Sequence, residues 1–174
     1  MITVKFNKDP KDVKLALANI RKFLTSQVKV DVGIFQDANQ RQNLRNDKGE
    51  GEGLIGNIAL GWLHEFGDGL SLPARPFLRL PYLMGKLQEG LSKPQYFMTH
   101  DTEIAASGRK ASKEFMKGLA WTYLVYVREG FETNGYGQWP ELAPSTIRKK
   151  YNKSETILRE TFQMYESLDW RYSK

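Results

Sequence analysis

The stretch that decides the fold runs from Trp62 to Leu80 and reads WLHEFGDGLSLPARPFLRL. An apolar helical segment reaches Gly67, which is expected to end it, and a proline-bracketed segment follows. Pro73 and Pro76 fix their own φ and push the preceding residue toward extended backbone. We therefore expect residues 72–81 to form a stiff arm that presents Arg75 in a defined direction, suited to contact a neighbouring subunit.

The sequence before this stretch predicts a strand, a helix and a second strand. Residues 2–6 alternate between apolar and polar side chains, the period of a half-buried strand. Asp9 is the expected N-cap of a helix that has Pro10 at its first position and runs to about Ser26. Its apolar positions are Val13, Ala16, Leu17, Ile20, Phe23 and Leu24. Alternation returns from Val28 to Ile34.

Residues 37–53 interrupt the pattern and are expected to form a flexible loop. Glycine stands at every second position from Gly49 to Gly53, and almost no side chain is apolar. Loops of this length are uncommon in compact domains. A disordered insertion and a loop that orders against a partner both remain open.

Helical spacing returns after the loop and again in the second half of the chain. Leu54, Ile55, Ile58, Ala59, Trp62, Leu63 and Phe66 form one apolar helical face. Residues 82–92 predict a short helix that Pro94 breaks, and Thr102–Thr133 predicts the long helix that is the spine of the fold. Asn134-Gly135 is expected to end that helix.

The C-terminal part predicts a short basic helix and then a strand. The helix covers Ala143–Lys150, after a proline turn, and carries Arg148, Lys149 and Lys150. Apolar residues at even positions from Phe162 to Trp170 favour a strand near the end, with 161–167 also open to a helical turn or two. The expected fold is a single α+β domain over 1–174, with a small β-sheet packed against a long central helix.

Composition limits the class of partner. The chain has 174 residues, a net charge of +6 and an isoelectric point near 9.4. This positive charge predicts attraction to nucleic acid or to an acidic protein surface. A basic surface that only contacts solvent is the other interpretation. Cysteine is absent, which excludes disulfides, thiolate chemistry and cysteine zinc sites. No apolar run reaches the roughly 20 residues of a membrane span, and the N-terminus lacks the apolar core of a secretory signal.

Enzyme motifs are not found. His64-Glu65 lacks the second histidine of a metalloprotease helix, because position 68 is Asp68 and the other histidine is the distant His100. No nucleophile elbow, phosphate loop or dinucleotide fingerprint occurs. We expect no catalytic residue, no cofactor and no metal, and rank a small-molecule enzyme third among the functions.

Two motifs occur together in a specific order. The first is Ile58-Ala59, His64-Glu65-Phe66-Gly67 and Leu72–Leu78, and the second is Gly137–Lys150, which contains Trp139-Pro140. This ordered pair resembles the neck and tail-completion (virion morphogenesis) proteins of long-tailed bacteriophages, over most of residues 54–170. Where members of that family carry a Leu-Ile-Asp-Thr-Gly-like turn, this chain reads Ile157–Phe162.

The resemblance implies a non-enzymatic virion protein at the head–tail junction, present in the host cytoplasm during assembly. It implies a homo-oligomeric ring, a hexamer or dodecamer, that contacts neighbouring neck, connector and tail-terminator or tail-tube proteins, with non-specific contact to genomic DNA in the lumen. The alternative is a basic nucleic-acid-binding module. The expected interface residues are Arg75, Pro76, Phe77, Leu78, Arg79, Trp139, Pro140, Arg148, Lys149 and Lys150. Packing of Phe77 and Leu78 into their own subunit's core is an equal alternative.

Overall fold

A computed structural model describes residues 10–41, 55–91, 109–150 and 155–173. The fold is α+β, with a two-stranded antiparallel sheet packed against a long helix, as the sequence predicts. The helices are α1 (Pro10–Leu24), α2 (Asn57–Phe66), α3 (Leu80–Leu83), α4 (Lys86–Leu91), α5 (Arg109–Glu132), α6 (Pro144–Lys149) and α7 (Gln163–Glu166). The strands are β1 (Val30–Ile34) and β2 (Leu168–Tyr172), and a single 3₁₀ turn covers Gln36–Ala38.

Several predicted features lie outside the described residues. These are the strand at 2–6, the N-cap at Asp9, loop residues 42–53, the break at Pro94 and the first turns of the long helix at 102–108. Within the described residues, the predicted helix at Pro10, the second strand, the helix that ends before Gly67, the basic helix and the C-terminal strand are confirmed. The one short helix predicted over 82–92 is instead two, α3 and α4. The segment before β2 forms the helical turn α7, the option that the sequence left open.

The sheet joins distant parts of the chain. Val32 pairs with Trp170 and Ile34 with Leu168 in the antiparallel register. These four side chains contribute to the core, with Leu168 fully buried and the other three partly buried. The period-two pattern of β1 therefore packs one face of the sheet against α5, as expected for a strand with one covered face.

Helix α5 is the spine of the core. Leu124, Val127 and Phe131 are fully buried along one face. Phe77 meets Phe131 edge-on with ring centroids 5.1 Å apart, and Trp139 meets the same ring at 5.7 Å. Such aromatic pairs contribute about 0.5–1.5 kcal/mol beyond the area that they bury.

A tight turn after α5 places Trp139 in this core. Asn134, Gly135, Tyr136 and Gly137 all have positive φ, between 52° and 76°. At Gly135 an added Cβ would lie 2.3 Å from the Trp139 ring, so only glycine fits there. The predicted Asn134-Gly135 stop is confirmed, and its role is to fold the tryptophan back onto α5.

Helix α1 buries a different stripe from the one that we expected. Its Asn19 is buried, and Phe23 packs against Phe115 of α5 with centroids 5.7 Å apart. Leu17 and Leu24 belong to the apolar face that the sequence predicts for this helix, but they are 60% and 74% exposed. The contact with α5 is narrow, so it covers only one edge of the apolar face and leaves the other edge in solvent.

Candidate functional site

Glu65 binds the second half of the proline arm. One carboxylate oxygen accepts hydrogen bonds from the amides of Phe77 (2.7 Å) and Leu78 (2.9 Å), and the other accepts one from Arg79 (3.1 Å). The Arg79 guanidinium also donates to the Glu65 carbonyl at 3.0 Å. Hydrogen bonds to a charged acceptor are the strong ones. Glu65 is 5% exposed and therefore acts as a buried anchor, a role that the sequence analysis did not assign to it.

Arg75 connects the arm to the second motif inside the same subunit. Its amide donates to the His64 carbonyl at 2.6 Å, and its guanidinium donates to the carbonyls of Pro140 (3.1 Å) and Glu141 (3.3 Å). Arg75 is only 4% exposed. Its guanidinium thus bonds backbone carbonyls of its own chain, which corrects the expectation that the arm presents Arg75 to a neighbouring subunit.

Trp139 completes this connection, which we call the motif junction (Glu65, Arg75, Pro76 and Trp139 with the groups that they bond). Its indole N–H donates to the Pro76 carbonyl at 2.9 Å. Phe77 and Trp139 are 1% and 6% exposed. Both pack into the core of their own chain, and Leu78 packs partly against it. The alternative of an internal role is therefore correct for Phe77 and Leu78, whereas Trp139, which was expected at an interface, is buried in the core instead. The two motifs that carry the resemblance are thus bonded to each other.

The other predicted interface residues divide into two groups. Lys150 is buried and donates to the Thr156 carbonyl, whereas Arg148 and Lys149 are exposed on α6. Pro140 is exposed, and the exposed Arg79 guanidinium lies 4.8 Å from the centroid of the Phe66 ring. Of the ten residues, Arg79, Pro140, Arg148 and Lys149 remain on the surface, where their role as partner contacts stays a prediction.

Helix α2 buries two polar side chains and leaves a row of apolar side chains exposed. Asn57, Gly61 and Glu65 are its buried residues, one turn apart. The next residue in each case is apolar and exposed: Ile58 at 36%, Trp62 at 62% and Phe66 at 50%. Trp62 and Phe66 contact each other with ring centroids 5.3 Å apart. We call Ile58, Trp62 and Phe66 the α2 patch.

The inward face of α2 is held by specific groups. The Asn57 amide nitrogen donates to the Ala38 carbonyl at 2.9 Å, and Asn39 Oδ1 accepts from the Ile58 amide at 2.8 Å. Residues 38–40 of the predicted flexible loop are therefore bonded to α2. Asp37, also in that loop, forms a 2.7 Å ion pair with Arg171 of β2. The four-residue spacing of Asn57, Gly61 and Glu65 is the one sequence signal for this face, and it is the same as that of the polar side of an amphipathic helix.

A cavity of about 400 Å³ opens beside the motif junction. Arg41, His64, Arg75 and Lys150 line it together with apolar side chains from α2, the arm and the segment before α7. Burial, with Arg75 and Arg41 nearby, lowers the pKa of His64 from 6.5 to about 4, so the imidazole is neutral at pH 7. Burial also lowers the pKa of Lys150.

The comparisons with known proteins found no match. No protein family, no curated protein and no solved structure is similar enough to this chain to be reported.

Two further searches covered the described residues alone. In residues 10–41, 55–91, 109–150 and 155–173, no group of three His, Asp or Glu side chains is arranged to hold a metal ion. Within the same ranges, no helix combines the length and apolar character that crossing a membrane requires.

Proposed function

We propose that this chain is a structural subunit of a tailed phage, a neck or tail-completion protein that forms a ring between the capsid connector and the tail tube. The specific assignment comes from the resemblance over residues 54–170. The observation that supports the assembly role is the α2 patch, an exposed apolar surface. It lies on a helix whose opposite face is held by the hydrogen bonds of Asn57 and Glu65.

The α2 patch is suited to binding because it is rigid and apolar. Tryptophan, the residue at position 62, is one of the types enriched among the strongest contributors to protein interfaces. The buried Asn57 and Glu65 hold the helix in place, so docking orders few additional groups and loses little entropy. Arg79 adds a charged group beside Phe66 at the edge of the patch.

A ring needs two different contact surfaces on each subunit, because only a head-to-tail interface continues around a closed circle. Helix α1 offers the second surface. Leu17, Ile20 and Leu24 are exposed at 60%, 37% and 74%, and we call them the α1 patch. In the proposed ring, the α2 patch of one subunit contacts the α1 patch of the next.

Replacing the largest side chain of the α2 patch tests the proposal. We expect the purified wild-type chain to form a defined oligomer, and Trp62→Ser to weaken it by at least about 30-fold in Kd, the effect of a loss of about 2 kcal/mol at an interface. Sedimentation velocity at several protein concentrations measures the change. Because Trp62 is 62% exposed, the variant should keep the wild-type circular dichroism spectrum and melting temperature.

The matched control is Val125→Ser on α5, which removes an apolar side chain that is 56% exposed and belongs to neither patch. It should assemble as the wild type does. A wild-type chain that stays monomeric at high concentration would refute the ring.

The virion assignment has its own test, since labelled protein should be seen at the neck in electron micrographs of phage particles.

The second candidate is a basic nucleic-acid-binding module, favoured by the exposed Arg148 and Lys149 on α6 and the exposed Lys11 and Lys14 on α1. Phosphate contacts by such residues give an affinity for duplex DNA that falls steeply with salt. A monomeric protein with that salt dependence, lost in the double variant Arg148→Gln, Lys149→Gln, would favour this function over the ring.

A further inference from the structure

The cavity beside the motif junction combines a charged wall with an apolar one. Arg41, Arg75 and Lys150 supply positive charge, and Leu60, Leu142 and Met164 are among its apolar lining residues. Ligand sites are typically apolar cavities with a few placed polar groups, and a volume of about 400 Å³ lies within their usual range.

Two lining residues have polar atoms without partners. The Nε atom of Arg41 and the Nδ1 atom of His64 are buried and make no hydrogen bond to the described residues. A buried polar group without a partner is unfavourable, and natural structures keep few of them. Arg41 Nε is a donor, and His64 Nδ1 is one in its Nδ1–H tautomer, so an acceptor bound in the cavity against either atom would satisfy it.

The charges of the cavity favour a ligand with a single negative charge. Its lining includes three cations (Arg41, Arg75 and Lys150) and two carboxylates (Glu141 and Glu160), which leaves one positive charge. The carboxylates would repel a doubly charged phosphate. A carboxylate matches both the net charge and the donors, because it accepts a guanidinium hydrogen bond in a planar geometry.

We propose that this cavity binds a carboxylate carried on an apolar body, with Arg41 and His64 as hydrogen-bond donors and the leucine and methionine side chains around the body. The carboxylate comes either from a small organic acid or from an acidic side chain of a protein partner. The site includes no residue of the α1 or α2 patch, so a negative result for the ring would not refute the binding site, and the reverse also holds.

A titration of the intact wild-type chain tests this site. The arginine Nε–Hε signals in a ¹H–¹⁵N spectrum report on Arg41 directly. We expect saturable movement of that signal with hexanoate, with a capped Ala-Leu-Glu-Leu-Ala peptide, or with both. Movement with hexanoate alone assigns the site to small acids, and tighter binding of the peptide assigns it to a protein partner. No saturation with either probe, equal binding of 1-hexanol, or tighter binding of inorganic phosphate overturns the proposal.

Variants make the test specific to the cavity. Arg41→Gln should weaken binding of the better probe by about tenfold or more, the loss expected for a charge-assisted hydrogen bond. Arg148→Gln removes the same charge from the exposed surface of α6 and should leave binding unchanged. Thr146→Glu adds a carboxylate at the cavity lining and should also weaken binding. Wild-type affinity in both cavity variants would refute the site.

Discussion

At Arg75 a charged side chain is buried, and its hydrogen bonds to the carbonyls of Pro140 and Glu141 offset its loss of water. We expect Arg75→Ala to lower the free energy of unfolding by about 2–3 kcal/mol, because the carbonyls lose charged donors. Urea unfolding measures this change. Arg148→Ala, on the exposed surface of α6, should stay within about 0.5 kcal/mol of wild type. If Arg75→Ala has the wild-type free energy of unfolding but does not assemble, Arg75 contacts a neighbouring subunit, as the sequence predicts.

His64 makes stability depend on pH. Its pKa is about 4 in the folded chain, below the ordinary 6.5, so between these values the unfolded chain takes up a proton that the folded chain does not. Stability from this group is therefore full above pH 6.5 and is lost as pH falls toward 4, by roughly 3 kcal/mol in total. Asp68 has a pKa of about 2, because its carboxylate accepts hydrogen bonds from the amides of Leu70 and Leu72. It therefore titrates below the range of pH 4 to 6.5 in which His64 acts.

The measurement is urea unfolding of wild type and His64→Gln at pH 7.5 and pH 4.5. The wild type should lose more stability than the variant between the two values, since glutamine does not titrate. Equal losses in the two proteins would show that the imidazole does not lie in the environment described.

At the scale of the element, α2 depends on close approach to the sheet and arm at Gly61. A Cβ there would lie 3.0 Å from Ile34 Cδ1 and 3.3 Å from Phe77 Cζ, tighter than ordinary contact. Overpacking of this kind costs about 1–3 kcal/mol, against a gain of up to about 1 kcal/mol in helix propensity. We expect Gly61→Ala to destabilise the fold by about 1 kcal/mol.

Gly130 in α5 is the matched control for this prediction. A Cβ there meets only Tyr136 Cε2, at an ordinary distance of 3.6 Å. Gly130→Ala should therefore stabilise the chain by up to about 1 kcal/mol through helix propensity alone. Thermal and urea unfolding measure the stability of both variants. Stabilisation by Gly61→Ala would contradict the prediction, because it would show that Ile34 and Phe77 move aside at little cost.

At the scale of the whole molecule, the proposed ring makes a stoichiometric prediction that extends the Trp62→Ser test. Leu24→Ser damages the α1 patch and Trp62→Ser the α2 patch, so each variant keeps one intact surface. Neither should form rings alone, but an equimolar mixture should give one-to-one dimers, because only one productive contact remains. Native mass spectrometry distinguishes the two chains by mass. A symmetric interface would behave differently, since a variant with an intact self-complementary patch would dimerise without the other.

The sequence by itself determined the parts of this protein that depend on near neighbours. The helix stop at Gly67, the start of α1 at Pro10, the turn at Asn134-Gly135 and the alternation of β1 follow from backbone preferences and from periodicity. The same signals predict an α+β fold, because a period-two segment with one apolar face needs a second layer to cover it, and the long helical segment can supply that layer.

Only the tertiary structure decided which side of α2 and of the arm faces inward. Glu65 is buried because the amides of Phe77, Leu78 and Arg79, 12 to 14 residues away, converge on it. Arg75 is buried because carbonyls 65 and 66 residues away accept its hydrogen bonds. Hydrophobic periodicity treats charged residues as outward-facing, and it carries no information about partners so distant in the chain. The α2 patch and the cavity are consequences of those long-range hydrogen bonds, so local pattern could not reveal them.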